Sequence, residues 1–308
     1  MRVIVTGCTG FIGSHLTERL IGNGHEVIGL STGWRMDYLQ SVMDSPNFKH
    51  VACDLKAAYL KPYFDDVDCV IHCAARAGMA NAWTHFQEYL EANVLITQRL
   101  LQAAKDTKTP RFLYLSSSSV YGRYATGDEG SPLMPVNPYG VTKLAGEHIC
   151  KAYEANGGPK VTIIRPFSIY GPRQRADMAH HIFIKAMLEG RPITVNGDGF
   201  QRRSNTYVAD LVNGITMALE NPAGIGKTFN IGGDKSVSLN ETIALIEQAL
   251  NVKAKIIYGP REVGDQTETS ADCTRAQMLL GYMPQWQLAD GIAKQVEWQR
   301  GRALVSCS

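Results

Sequence analysis

The chain has 308 residues, of which 44% are hydrophobic and 19% charged, a composition that is ordinary for a globular protein of one large or two coupled domains. A net charge of +2 gives no electrostatic reason to expect a nucleic-acid partner or an anionic membrane. The seven cysteines are scattered and include no C-x-x-C pair, so we expect no metal site. No apolar run reaches about 18 residues, so we expect no membrane span. The cytoplasm is then the expected location.

Strands and helices alternate in the N-terminal half of the chain. Short apolar runs predict buried strands, and amphipathic stretches between them predict helices. The predicted strands are 3–5, 26–30, 67–72, 111–115 and 161–164, and the predicted helices are 14–21 and 89–104. This alternation predicts an α/β fold with a doubly wound, mainly parallel sheet of the Rossmann type.

Beyond about residue 166 the pattern changes to loops rich in glycine and proline, separated by short helices. We predict these helices at 179–188, 239–249 and 288–298, and a strand at 228–231 that returns to the sheet. We therefore expect a larger domain and a smaller C-terminal lobe. The larger domain would comprise 1–170 and about 206–234, and the lobe 171–205 and 235–308.

A glycine-rich turn, Gly7-Cys-Thr-Gly10-Phe-Ile-Gly13, joins the first predicted strand to the first helix. Glycines at such a junction let the backbone approach a pyrophosphate, which then sits on the helix N-terminus. The spacing is G-x-x-G-x-x-G instead of G-x-G-x-x-G, and an ordinary βα turn is the simpler alternative. The strand before the turn and the helix after it favour a dinucleotide-binding domain, with Gly7, Gly10, Phe11, Ile12 and Gly13 in contact with the cofactor.

An acidic residue usually ends the second strand of such a fold and binds the hydroxyls of the adenosine ribose. Here Ser31 ends the strand, and the nearest acid is Asp37. Arg35 is close enough in sequence to meet a ribose 2′-phosphate, which would favour NADP; a loop that holds NAD by other contacts is the alternative. Asp54, next to Leu55, is a second acid placed to bind the adenine amino group.

Tyr139 and Lys143 follow Asn137 and Pro138, which can serve as the N-cap and first residue of a helix. The two side chains would then share one helix face. The pKa of a free phenol is about 10, and lowering it to about 7 takes about 4 kcal/mol. One cation at ~4 Å supplies that amount at an effective dielectric constant near 20. The pair therefore predicts a general base, although the spacing alone is common by chance.

The serine run Ser116–Ser119 follows the predicted strand 111–115. In a doubly wound sheet the carboxyl ends of the strands line the ligand crevice, so a hydroxyl here could donate to a substrate oxygen. Serine runs are also frequent in plain loops.

In combination these motifs resemble the extended short-chain dehydrogenase/reductase family, and most closely its nucleotide-sugar epimerases. The resemblance extends through His72-Cys-Ala-Ala75, Asn93-Val94, Arg165-Pro-Phe-Ser-Ile-Tyr-Gly-Pro172 and Arg261-Glu-Val-Gly-Asp265. It implies that Ser117 is a catalytic hydroxyl, that Tyr139 is the general base, and that Lys143 binds the nicotinamide ribose and lowers the pKa of the tyrosine. Cofactor contacts at Ala74 and Asn93 are implied in the same way.

The resemblance also implies that the C-terminal lobe binds a nucleotide sugar. Arg203 matches the diphosphate contact of the family, and Arg261 and Asp265 match nucleotide contacts. One departure is Ser204-Asn205, where the family usually has Asp-Phe after this arginine.

The serines implied to face the sugar separate the possible reactions. Dehydratases of the family carry Asp-Glu directly after the catalytic hydroxyl residue, and decarboxylases usually keep the Glu, whereas this chain has Ser118-Ser119. Epimerases of the family often have asparagine where this chain has Ser168. A serine at this position resembles the UDP-glucuronate 4-epimerase branch. Arg175 could pair with a sugar carboxylate, or face a phosphate or solvent.

The resemblance thus implies an NAD-dependent isomerase that inverts C4 of a UDP-hexuronate or UDP-hexose through a transient 4-keto intermediate. An NADP-dependent nucleotide-sugar 4-ketoreductase, favoured by Ser31 and Arg35, is one alternative. A UDP-glucuronate decarboxylase and a non-catalytic nucleotide-sensing relative are the others. A homodimer formed through the helices 89–104 and 138–153 is implied by the resemblance alone.

Overall fold

The computed structural model describes residues 1–233 and 235–305, and a seven-stranded parallel sheet lies at its centre. The strands are β1 (Arg2–Thr6), β2 (Glu26–Ser31), β3 (Phe48–Ala52), β4 (Cys69–His72), β5 (Arg111–Leu115), β6 (Lys160–Pro166) and β7 (Thr228–Ile231). Their order in space is β3-β2-β1-β4-β5-β6-β7, with every neighbouring pair parallel. The strand order reverses between β1 and β4, which is where ligands bind in open sheets of this kind. The predicted doubly wound α/β fold is confirmed.

Helices pack on both faces of this sheet and also outside it. Among the described residues the α-helices are α1 (Phe11–Gly22), α2 (Phe86–Leu90), α3 (Ile96–Asp106), α4 (Pro138–Ala155), α5 (Ala179–Leu188), α6 (Val208–Glu220), α7 (Leu239–Leu250), α8 (Thr274–Leu280) and α9 (Leu288–Val305). Helices α5, α7 and α9 pack against one another. Helix α1 packs beside α6, and α3 beside α4. Val3 and Val5 of β1 belong to one apolar cluster and Ile4 to another, so the strand is buried on both faces. Burial on both faces explains the unbroken apolar runs of the strands.

Several predicted elements have different bounds in the structure. The helix predicted at 89–104 is confirmed with wider bounds, since α2, a π-helical turn at Glu91–Leu95 and α3 follow one another without a break from Phe86 to Asp106. Helix α9 extends past the predicted 288–298, and strand 228–231 is confirmed as the edge strand β7. Strand β3 was not predicted because it is an edge strand without fully buried residues, and therefore has no apolar run.

Short strands form three smaller sheets outside the central one. The largest joins Tyr124–Ala125, which follows β5, to Glu268–Thr269, Arg202–Ser204 and Ser236–Ser238. The others pair Ile169–Tyr170 with Thr206–Tyr207, and Ile193–Asn196 with Ile256–Gly259. The division into a dinucleotide-binding domain and a sugar-binding lobe stays a prediction. Within the described residues, no helix is both long and apolar enough to span a bilayer.

Candidate active site

The glycine turn between β1 and α1 is too tight for side chains. Gly7 has a φ of 67°, in the left-handed region that favours glycine. A Cβ on Gly13 would lie 2.1 Å from the carbonyl oxygen of Gly7, and one on Gly10 would lie 3.1 Å from the same atom. No side chain among the described residues caps α1 at Gly10, so the first-turn amides of Phe11 and Ile12 suit a bound anion. The turn therefore fits a pyrophosphate at the helix N-terminus.

At the end of β2, the residues that replace the expected ribose acid contact other protein groups. The hydroxyl of Ser31 lies 2.9 Å from Nε2 of His50 and accepts a hydrogen bond from the Gly33 amide at 3.2 Å. The guanidinium of Arg35 lies 5.3 Å from the ring centroid of Tyr38 and donates to its hydroxyl. Arg35 thus lies over an aromatic ring in this loop.

The other predicted adenosine and ribose contacts lie along the same edge of the sheet. Asp54 accepts a hydrogen bond from the amide of Lys56 at 3.0 Å, which makes it a cap of its own loop, and Leu55 is buried. Ala74 follows β4, and a Cβ on Gly7 would lie 3.0 Å from its backbone nitrogen. The structure therefore brings Ala74 and the glycine turn together at the point where the strand order reverses.

Asn93 lies in the π-helical turn and is only 1% exposed. Its Oδ1 accepts from the amide of Arg76 at 2.8 Å, and its Nδ2 donates to the carbonyl of Arg76 at 2.9 Å and to the hydroxyl of Thr142 at 3.0 Å. The side chain therefore ties this turn to the loop after β4 and to helix α4. These bonds position the loop that follows Ala74.

A buried chain of hydrogen bonds beside Asn93 was missed in the sequence. The hydroxyl of Thr97 donates to the carbonyl of Asn93 at 2.8 Å, so it can only accept from Nε2 of His72, 3.0 Å away. Nδ1 of His72 then accepts from the hydroxyl of Thr6 at 2.8 Å. Burial, with a smaller contribution from the charge of Lys143, lowers the pKa of His72 to about 3, so the imidazole is neutral. The chain joins β1, β4 and α3 beneath the site.

Helix α4 begins as the sequence predicts. Oδ1 of Asn137 accepts from the amide of Gly140 at 2.8 Å, and Pro138 is the first helical residue. One turn further on, Lys143 is 2% exposed, and its Nζ lies 4.3 Å from the ring centroid of Tyr114 on β5. The ammonium group thus forms a cation–π contact inside the protein.

Ser117 follows the end of β5 and is 8% exposed. Its hydroxyl oxygen accepts a hydrogen bond from the amide of Ser119 at 3.1 Å. The first turn of α4 packs against the serine run, since a Cβ on Gly140, the residue after Tyr139, would lie 2.7 Å from the carbonyl oxygen of Ser119. The ring of Tyr139 packs edge-on against Tyr89, with centroids 6.3 Å apart. The segment that follows β5 and the first turn of α4 therefore lie against each other, with the predicted serine on one and the predicted tyrosine on the other.

Burial dominates the protonation of the predicted catalytic pair. It raises the pKa of Tyr139, while the nearby hydroxyl of Ser117 and the charge of Arg175 act in the opposite direction. Burial lowers the pKa of Lys143 to about 8. Near pH 7 the phenol of Tyr139 is therefore protonated in the protein alone.

The residues predicted to bind the nucleotide and diphosphate lie together. Arg203 forms an ion pair of 2.7 Å with Asp265, and both side chains are mostly buried. Arg261 is exposed and donates to the hydroxyl of Thr267 at 2.8 Å. Two guanidinium groups on one short loop and its neighbouring strand suit a diphosphate, which arginine binds through paired N–H groups.

Gln266 connects this arginine loop to the serine run, a link that was missed in the sequence. Its side-chain amide is buried and donates to the carbonyl of Gly122 at 2.8 Å and to that of Ser118 at 3.3 Å. Ser118 and Ser119 are each 5% exposed and form the first residues of a 3₁₀ turn. The diphosphate residues and the predicted catalytic serine are therefore held against each other.

Arg175, whose charge lowers the pKa of Tyr139, already has a carboxylate partner. It forms two hydrogen bonds with Asp177, of 2.9 and 2.6 Å, and a third with the carbonyl of Ala77 at 2.9 Å. Ser168 has a φ of 41°, a left-handed conformation that a serine adopts only under constraint. Its backbone is thus fixed by the loop between β6 and the Ile169–Tyr170 strand.

A Rossmann sheet with a glycine turn and a clustered serine, tyrosine and lysine defines a nucleotide-cofactor enzyme of the short-chain dehydrogenase type. The model of the NAD dependent epimerase/dehydratase family matches residues 3–232, and the chain belongs to this family.

Individual relatives cover almost the whole chain. The uncharacterized UDP-glucose epimerase YtcB of Bacillus subtilis is 38% identical over 97% of this chain and 98% of its own length. The UDP-glucuronate 4-epimerase of Thermodesulfobacterium geofontis is 33% identical over 96% of this chain and 95% of its own. The crystal structure of UDP-glucuronic acid 4-epimerase from Bacillus cereus, in complex with UDP-glucuronic acid and NAD, superposes with a TM-score of 0.95 at 37% identity, covering 98% of this chain and 100% of that one.

Proposed function

We propose that the protein is an NAD-dependent UDP-sugar 4-epimerase and that its substrate is a UDP-hexuronate. The observation that carries the epimerase assignment is the position of Ser117, which follows β5 at the carboxyl edge of a Rossmann sheet and lies against the first turn of α4, with Tyr139 in that turn and Lys143 one turn further on. The relatives named above as 4-epimerases, and the superposable complex with UDP-glucuronic acid and NAD, support it.

When bound, NAD supplies a hydride acceptor for C4 of the sugar and a positively charged nicotinamide ring. Tyr139, as phenolate, takes the proton of the C4 hydroxyl. The hydroxyl of Ser117 accepts from the amide of Ser119, which leaves its own proton free to donate to the developing 4-keto oxygen. Lys143 contributes a buried ammonium that holds the ribose end of the cofactor site. After the keto sugar rotates in the site, hydride returns to the opposite face of C4. Tyr139 then returns the proton to the C4 oxygen.

Deprotonation of Tyr139 needs more positive charge than the protein alone supplies. Burial raises its pKa, so the phenolate that the reaction needs is disfavoured in the protein alone, although the charge of Arg175 acts in the opposite direction. The positive charge of the oxidised cofactor would add to the charges of Arg175 and Lys143 in favouring the phenolate. We therefore infer that the tyrosine becomes a base only when the oxidised cofactor is in place.

The preference for a hexuronate rests on Arg175. The charge of this guanidinium lowers the pKa of Tyr139, and its pairing with Asp177 supports a site in which a substrate carboxylate could replace that of Asp177. A sugar C6 carboxylate would take the place of Asp177. The 4-keto hexuronate is a β-keto acid, and a carboxylate held by Arg175, Ser118 and Ser168 is kept out of the geometry in which carbon dioxide leaves.

The substrate class can be decided by direct assay. The protein is incubated with UDP-glucuronate, UDP-glucose and their N-acetyl analogues, and the products are analysed for 4-epimers, UDP-pentose and carbon dioxide. A 4-epimer of UDP-glucuronate without pentose is the expected product. Pentose formation would mean decarboxylation, and turnover of UDP-glucose alone would move the assignment to hexoses.

Two substitutions assign the roles within this reaction. Tyr139→Phe should reduce interconversion at least a thousandfold while the protein still binds NAD, since the general base is lost. Tyr153→Phe is the matched control, because Tyr153 lies at the other end of α4 and its hydroxyl bonds Gln102 and Gln98. Substantial turnover by Tyr139→Phe would remove the assigned base.

The role of Arg175 can be tested in the same assay. Arg175→Gln should lower kcat/KM for UDP-glucuronate at least tenfold and affect that for UDP-glucose much less. Arg191→Gln is the control, because Arg191 forms a similar short-range pair with Glu189 on the surface. An equal loss with both substrates would show that Arg175 does not recognise a C6 carboxylate.

A further inference from the structure

Glu147 continues the row of side chains formed by Tyr139 and Lys143 along α4. The three residues are spaced by four, so they share one face of the helix. Glu147 is 1% exposed and pairs with Arg165, which is 2% exposed, near the end of β6. The pair has two parallel hydrogen bonds, from Nε of Arg165 at 2.9 Å and from its Nη2 at 2.7 Å. A charged pair of this kind is buried directly behind the candidate active site.

The same carboxylate also binds the strand end that carries the predicted catalytic serine. The hydroxyl of Ser116 donates to Oε1 of Glu147 at 2.5 Å, and Ser116 directly precedes Ser117. The remaining N–H group of Arg165 donates to the hydroxyl of Tyr121 at 2.8 Å, at the far end of the serine turn. Glu147 and Arg165 therefore fix both ends of the serine run relative to helix α4.

The surroundings of Lys143 single out Glu147 electrostatically. The titratable groups around the ammonium are Cys150 and Glu147 from α4, Cys73 and His72 at the end of β4, and Tyr114 from β5. Tyr139 lies one turn earlier on the same helix. Burial raises the pKa of Cys73 to about 12 and that of Cys150 further, so both thiols are neutral near pH 7, as is His72. Glu147 is therefore the negative charge, among these described groups, that favours the ammonium form of Lys143.

Stability alone is a weak reason to keep such a pair. Removing two charges from water costs several kcal/mol for each ion, and replacing a buried pair by apolar side chains is often neutral or stabilising. The geometry points to a role in the reaction. We propose that Glu147, fixed by Arg165 and Ser116, is a positioning residue that holds the Ser117 strand end in register with α4 and keeps Lys143 charged. The proposal rests on the function proposed above.

The charge role is tested by the pH dependence of turnover. In the wild type, kcat/KM should fall as Lys143 loses its proton, near pH 8. In Glu147→Gln this falling limb should move to lower pH by roughly one unit, with about a threefold loss at pH 7.5. Glu154→Gln, the same change two turns further along α4, is the control and should leave the limb in place. An unmoved limb in a folded Glu147→Gln protein would overturn the charge role.

A second set of variants keeps the test decisive if Glu147→Gln does not fold. Glu147→Gln alone leaves Arg165 as a buried unpaired cation. The double variant, Glu147→Gln with Arg165→Gln, removes both charges. In it, too, the falling limb of the kcat/KM profile should move to lower pH. Ser116→Ala removes the link to the strand end and leaves the ion pair intact. It should lower kcat severalfold without moving the limb, and an unchanged kcat would overturn the positioning role.

A readout without turnover separates this inference from the proposed function. Lys143 can be titrated by NMR with labelled lysine, its signal identified by its loss in Lys143→Arg. Its midpoint should be lower in both Glu147→Gln proteins than in the wild type, and equal midpoints would contradict the inference. A wild-type protein that converts no UDP-sugar would overturn the proposed function, while this titration would still decide the role of Glu147.

Discussion

Replacing Gly13 by alanine tests the phosphate turn directly. A Cβ at this position would lie 2.1 Å from the oxygen and 2.8 Å from the carbon of the Gly7 carbonyl, where ordinary contact begins near 3.4 Å. Because both atoms belong to the backbone, the turn itself must move, and overpacking of this kind costs about 1–3 kcal/mol. With an unfolding entropy of about 2.1 cal/mol/K per residue, a loss of ~3 kcal/mol lowers Tm by about 5 °C in a chain of this size.

The displaced turn should also bind NAD more weakly. The amides of Phe11 and Ile12 would no longer point at the pyrophosphate, and a loss of about 1.4 kcal/mol in binding is a tenfold loss of affinity. The assay measures NAD retained by the purified protein, NAD affinity by calorimetry, and Tm. Gly22→Ala is the control, because Gly22 ends the same helix and a Cβ there meets nothing within 4 Å. Gly13→Ala protein with wild-type NAD affinity and Tm would refute the reasoning.

Three further predictions concern stability. Thr97→Val should lower the free energy of unfolding by about 1–3 kcal/mol, because Nε2–H of His72 loses its acceptor. An unchanged free energy in urea unfolding would contradict the assigned tautomer. Ser168→Asn should raise Tm, since asparagine adopts the φ of 41° more readily than serine; a lower Tm would exclude relieved strain. Burial alone would raise the pKa of Glu18, but its hydrogen bonds from Arg173 lower it below 4.5. The pair therefore stabilises the protein above about pH 4.5 and is lost as pH falls further, so the Tm gap between wild type and Glu18→Gln should narrow in acid; a constant gap would contradict this.

The sheet was predictable because its strands are buried on both faces. The run 111–115 matches β5, and the strand 228–231 returns to the sheet as β7. Helix α6 was missed although its pattern was present, since Val208, Leu211, Val212 and Ile215 lie at helical spacing and are all buried. Strand β3 carried no such signal. Local sequence patterns therefore identify fully buried strands and helices better than edge strands.

The predicted serine and tyrosine could be placed together because the carboxyl ends of parallel strands meet at one edge of a sheet. The sequence could not predict which group each charged side chain contacts. Lys143 lies against Tyr114, and Arg175 donates to the carbonyl of Ala77, because tertiary packing brings these groups together. The bonds from Glu147 to Arg165 and Ser116 join residues distant in sequence for the same reason.

The central claim is that hydride leaves C4 of a UDP-sugar and returns to the same carbon without leaving the protein. It is tested by incubating the protein, with no added cofactor, with UDP-glucuronate that carries deuterium at C4, and by measuring the deuterium at C4 of the product by mass spectrometry and NMR. The account predicts a 4-epimer that retains the deuterium at C4, in ordinary water. Loss of the deuterium to solvent, or turnover only with added NADPH, would contradict it.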